Sequence, residues 1–108
     1  MTVKALSELE LFTPVVLQEP EREISGVYIG DLLSWVMGKA ESGDAWITIM
    51  SNLNILAVAT LADTSCIILA EGVKLENDVI ETAKQKNINI ISAECSIYDI
   101  AVFLSQVL

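Results

Sequence analysis

From Leu53 to Ala70 the chain is almost continuously apolar, and one polar cluster, Asp63-Thr64-Ser65, divides it. A membrane-spanning reading would carry Asn54, Thr60, Asp63, Thr64 and Ser65 into lipid, where polar groups are costly. Two buried elements joined by a turn fit better. Leu53–Ala62 is rich in Ala and Leu and predicts a helix, and Ile67, Ile68 and Leu69 predict a strand after the break at Asp63-Thr64.

The same alternation runs the length of the chain. Thr2 reads as the cap of a short helix with Ala5, Leu6 and Leu9 on one face, followed by a strand around Pro14 to Leu17. Ile24–Ile29 predicts a second strand ending at Gly30, and Asp31 the cap of a helix burying Leu32, Leu33, Val36, Met37 and Ala40. Glu41-Ser42-Gly43-Asp44 reads as a turn into a strand over Ala45–Met50. Glu76–Asn87 is an amphipathic helix with acids early and Lys84 and Lys86 late, which suits the helix dipole. Ile88–Ile91 is a last strand, and Ser96-Ile97-Tyr98-Asp99 resembles a capping box opening a helix through Ile97, Ile100, Leu104 and Val107. The expected fold is α/β: one domain over residues 1–108, a largely parallel sheet flanked by helices.

Composition narrows the function. Hydrophobic residues make up 53% of the 108, so the chain has the material for a core of its own. A net charge of −9, with only 6 scattered bases, excludes the clustered cations that nucleic acid or an anionic membrane requires. With no histidine and only Cys66 and Cys95, neither a metal site nor a histidine-based catalytic triad is expected. Cys66 reads as a core thiol. Cys95, at a helix start, has a dipole that favours the thiolate, although an inert reading is preferred for both. Neither GxGxxG nor GxxxxGK[ST] occurs. Asp31 and Glu71 form a weak acid–base candidate. Trp35, beside its helix's apolar stripe, reads first as core and second as a dimer contact. The chain is expected to be cytoplasmic, since no secretory signal is visible.

Three strings resemble the DRTGG-domain family: Ile24–Met37, Ala45–Ile49 and Cys66–Gly72. The resemblance extends from about Val3 into the C-terminal helix. It implies a fold similar to the N-terminal domain of HPr kinase/phosphorylase, and the role of a stand-alone, non-catalytic regulatory or protein-interaction module without a cofactor. Relatives of this kind are fused to CBS domains in regulatory pyrophosphatases or attached to phosphotransacetylases, and stand-alone copies suggest a service to redox or hydrogenase metabolism. The name-giving string is absent. Ser51-Asn52-Leu53-Asn54 stands where the family has an acidic–basic pair, and Ala70-Glu71-Gly72 stands for Thr-Gly-Gly, which weakens any transfer of nucleotide binding.

The preferred reading is therefore a homodimeric interaction module. The alternative is a sensor binding an adenine nucleotide at a dimer interface or beyond the carboxyl ends of the strands, where α/β sheets gather ligands. The candidate residues there are Gly30, Asp31, Asn52, Asn54, Glu71, Gly72 and Ser96.

Overall fold

A computed structural model describes the whole of Met1–Leu108. Its elements run α1 (Val3–Ser7), β1 (Thr13–Val16), β2 (Gly26–Ile29), α2 (Leu33–Lys39), β3 (Asp44–Thr48), α3 (Asn54–Ala62), β4 (Cys66–Leu69), α4 (Asn77–Gln85), β5 (Ile90–Ser92) and α5 (Ile97–Val107). The five strands form one sheet in the order β1-β5-β4-β3-β2. From β2 to β5 each strand lies parallel beside the one before it, with Trp46 opposite Ile67 and Ile68 opposite Ile91. β1 closes the far edge antiparallel to β5, and the pairing slips between Pro14 and Val16. An edge is where a proline, which lacks an N–H, is tolerated in a sheet.

Every residue of β3 and β4 is buried, because helices cover both faces. Alternate side chains sort to opposite sides as the pleat requires. Ala45, Ile47, Cys66 and Ile68 pack with Val3 and Leu6 of α1 and Ile100 and Leu104 of α5. Trp46, Ile67 and Leu69 pack with Val36, Ile55, Leu56 and Val79 from α2, α3 and α4. The three helices that link successive parallel strands thus share one face. The first and last helices cover the other, where Phe103 of α5 meets Phe12 edge-on at 5.8 Å.

Local chemistry explains most boundaries. Thr2 caps α1 by accepting the Ala5 N–H, and Ser96 caps α5 by accepting that of Asp99. Asp63 ends α3 in the left-handed conformation at φ 58°, which turns the chain into β4. Asp44 belongs to β3 rather than to the preceding turn. Its carboxylate is nearly buried and accepts the Glu41 N–H at 2.8 Å, so it closes the turn from inside the strand.

α2 departs from the expected pattern. Asp31 does not cap it; Leu32 stands at the cap position with no side-chain bond. The expected buried face holds in part: Val36 is buried and Leu33 and Ala40 pack partly buried against the same core, while Leu32 and Met37 are exposed. At seven residues the helix is too short to bury a wider stripe.

One buried polar group ties three segments together. The Asn89 side chain, 3% exposed, accepts the Glu19 N–H at 2.9 Å and donates to the Glu19 carbonyl at 2.7 Å and the Ser65 carbonyl at 3.0 Å. It fastens the β1–β2 loop to the start of β4. Asn89→Ala strands these main-chain groups in a buried setting, so urea unfolding is expected to show a loss of about 2–3 kcal/mol with an unchanged slope. A loss below about 0.5 kcal/mol would show that water replaces the amide.

Candidate functional site: the carboxyl rim of the sheet

The parallel topology brings all the candidate residues to one end of the sheet, though not into one cluster. Gly30 and Asp31 follow β2, Asn52 and Asn54 follow β3, Glu71 and Gly72 follow β4, and Ser96 follows β5. β3 lies between the strands that Asp31 and Glu71 follow.

Most of these groups already serve the fold. The Asp31 carboxylate accepts the Thr48 hydroxyl at 2.7 Å and the Ile49 N–H at 3.0 Å, latching the β2–α2 loop onto the end of β3. The Gly30 carbonyl accepts the indole N–H of buried Trp46 at 2.9 Å. Asn52 accepts the Asn54 N–H at 3.0 Å and so supports the start of α3, and the Ser96 hydroxyl is occupied in capping α5. The Glu71 and Gly72 amides donate to the carbonyls of Cys95 and Ala93 at 2.9 and 3.0 Å. An oxyanion at this rim would find those N–H groups taken.

The surroundings of both cysteines support the inert reading. Burial, reinforced by the negative charges of Asp99 and Glu71, pushes the Cys95 thiol above its ordinary range, so desolvation overrides the helix dipole and the thiolate is disfavoured. Burial likewise pushes the Cys66 thiol up to about 12. Lys74 also reaches the rim, unnoticed in the sequence because it lies beyond the Glu71-Gly72 turn. Its ammonium stands 3.6 Å from Glu94, whose carboxylate lies against Gly72. No group of three or more His, Cys, Asp and Glu side chains gathers in a way that could hold a metal ion.

Around these polar residues the surface is apolar. Leu32, Trp35, Ile49 and Leu53 are exposed beside the rim, and Val27 and Ile29 are exposed on β2, whose outer edge pairs with no strand. Trp35, at 58% exposure, is not part of the core; the Lys39 ammonium covers its ring at 4.5 Å from the centroid. No helix is long and apolar enough to cross a membrane.

The model of the DRTGG domain matches residues 15–107. The chain belongs to the DRTGG-domain family. Among solved structures it is similar to the CBS and DRTGG domains of the regulatory region of Clostridium perfringens pyrophosphatase, complexed with the activator diadenosine tetraphosphate. The TM-score is 0.70 at 19% identity, and the match covers 90% of this chain but 43% of that one, so the chain spans under half the length of its structural relative. No curated protein matches it.

The DRTGG fold gives Glu71 a physical meaning. Glu71 and Gly72 both have positive φ, 61° and 67°, so the position at which the family resemblance expects the first glycine is one where any side chain is strained. A left-handed non-glycine residue costs about 1–2 kcal/mol, against about 0.5–1 kcal/mol of extra chain entropy for glycine. Glu71→Gly is therefore expected to raise stability by about 0.5–1 kcal/mol in urea unfolding, and a fall would show that the Glu71 side chain makes compensating contacts.

Proposed function

We propose that this DRTGG domain is a non-catalytic regulatory module that works by protein association, first with a second copy of itself, through the apolar surface around α2 and the free edge of β2. The observation that carries the reading is the exposure of Trp35, with Leu32 one turn before it and Val27 and Ile29 exposed on the edge strand β2. Tryptophan is enriched where interfaces are held most tightly, and clustered exposed apolar side chains mark interaction surfaces. An unpaired strand edge adds a second inducement to associate, and closed pairs are the commonest oligomers. The Asp31 latch and the lack of histidine leave no acid–base pair to support catalysis. A cytoplasmic setting suits two cysteines that stay unpaired. Service to redox or hydrogenase metabolism is the finer part of this proposal, supported by the resemblance to stand-alone family members. It is tested by whether a pull-down from the native host recovers such enzymes.

Light scattering at micromolar concentration is expected to show a dimer. Trp35→Ser, at an exposed position, is expected to leave the fold intact and weaken association at least tenfold, roughly 1.4 kcal/mol or more. A monomer at all concentrations, or a dimer indifferent to this change, overturns the proposal.

The complex of the pyrophosphatase regulatory region with diadenosine tetraphosphate favours a second reading, a sensor for adenine nucleotides. Against it stand the occupied amides of Glu71 and Gly72 and the acidic rim formed by Asp31, Glu71 and Glu94, with Lys74 the one cation beside it. Polyphosphate repulsion should prevail in a chain at −9. Calorimetry is expected to show weak or no ATP binding by the wild type and tighter binding by Glu71→Gly. Tight wild-type binding that Glu71→Gly leaves unchanged would contradict the charge argument and put the site elsewhere, as at a dimer interface.

A further inference from the structure

The two edges of the sheet differ in how they would receive another strand. β1 carries Pro14, and its register slips before Val16. A proline, which lacks an N–H, and a break in register both keep an edge from pairing with a foreign strand. β2 has neither. Gly26-Val27-Tyr28-Ile29 contains no proline and no charge, and its register against β3 runs unbroken.

The ladder fixes which groups this edge offers. The Gly30 N–H donates to the Ile47 carbonyl at 3.2 Å, whereas the Thr48 carbonyl accepts from Ala70 on the β4 side. Main-chain groups alternate sides along a strand, so Tyr28 and Gly30 turn theirs to β3, and Val27 and Ile29 turn theirs to the open edge. The same two residues have exposed side chains, at 40% and 45%. They stand opposite Ala45 and Ile47, on the face of the sheet that α1 and α5 cover farther in.

Two outward residues on either side of an inward one are self-complementary. An antiparallel copy centred on Tyr28 sets Val27 against Ile29 of the second copy, and Ile29 against its Val27, each pair exchanging both main-chain bonds. Gly26 then meets Gly30, and Ser25 meets Asp31. Charge selects this register in an acidic chain. Centring on Val27 would set Asp31 opposite Glu23 of the copy, and like charges directly opposite are destabilising. Centring on Ile29 would set the Asp31 carboxylate opposite Val27 and bring Leu33, the start of α2, against Ser25.

We infer that β2 pairs antiparallel with β2 of a second copy about a two-fold axis through Tyr28, joining the five strands of each into one continuous sheet. The pairing presupposes the self-association proposed above and specifies its contact.

The test places cysteines at the two exposed positions of the full chain, in a Cys95→Ser background that leaves only buried Cys66. Hydrogen-bonded antiparallel residues have Cα atoms about 5.5 Å apart, within reach of a disulfide, whereas identical positions lie a two-residue step out of register. A mixture of Val27→Cys and Ile29→Cys chains in oxidised glutathione is expected to form a covalent dimer about tenfold faster than either chain alone. Amide-resolved hydrogen exchange at rising concentration is expected to slow at Val27 and Ile29 and to stay unchanged at Tyr28, already bonded to β3. Asn87 and Asn89, in a polar cavity that Glu19, Thr64 and Lys86 also line at the amino ends of β4 and β5, provide a second unchanged reference. Val27→Pro removes an outward N–H and no bond to β3, so it is expected to weaken dimerisation about tenfold with an unchanged far-ultraviolet circular dichroism spectrum. Because both cysteine positions are exposed, the cross-link decides even where proline disturbs the fold. The pairing is overturned if light scattering shows a dimer whose mixed chains cross-link no faster than the separate ones; association then runs through Trp35 and α2 alone, and the proposed function stands. A monomer at all concentrations overturns both, and leaves the edge to a strand of another protein.

Discussion

β3 and β4 are covered on both faces, and the placement of every other element follows from keeping them so. A strand whose side chains are apolar on both sides has no solvated face, and it is stable only between two layers. α2, α3 and α4, the links between parallel neighbours, supply one layer. The other comes from the two ends of the chain, α1 and α5, which meet over Ala45, Ile47, Cys66 and Ile68. The termini are therefore structural, and a change at Leu6 or Leu104 acts on the same core as one at Ile68.

This arrangement gives the sheet two chemically different ends. At the carboxyl end, loops run into helices, and their polar groups are absorbed by capping and latching: Asp31 on Thr48, Asn52 on Asn54, Ser96 on Asp99. What remains exposed there is apolar and acidic, with Lys74 against Glu94. At the amino end, helices α3 and α4 run out towards β4 and β5, and the chain leaves a polar cavity with balanced charge. A DRTGG domain without its name-giving string thus keeps the family's fold while its rim carries a glutamate at φ 61°, at the position where the family resemblance implies a glycine.

Much of this order was legible in the sequence, for identifiable reasons. The break at Asp63-Thr64 marked the passage from α3 to β4 because a polar pair inside an apolar run has no other use. Thr2 and Ser96 announced their helices because a hydroxyl that accepts an amide two or three residues on is a local matter. Asp31 looked the same and was not, since its partner, Thr48, lies on the next strand and only the sheet brings the two together. The helical period of α2 placed Leu33, Val36 and Ala40 against the core, but Leu32 and Met37 were misread because a seven-residue helix at the edge of the sheet buries only a narrow stripe. The inert reading preferred for Cys95 agrees with the fold, where burial disfavours its thiolate. The amino-end cavity was invisible because Glu19, Thr64 and Lys86 lie in three separate segments that meet only in the folded chain.

The central claim is that the edge of the sheet at β2 and α2 is an interface. Hydrogen exchange measured across a range of protein concentrations tests it most directly, because association slows exchange only where amides are covered. The account predicts that residues 26–37 become protected as concentration rises, while the amides around the amino-end cavity stay unchanged. Exchange that is independent of concentration along β2 and α2, or protection that appears on α4 and the amino-end loops instead, would contradict it.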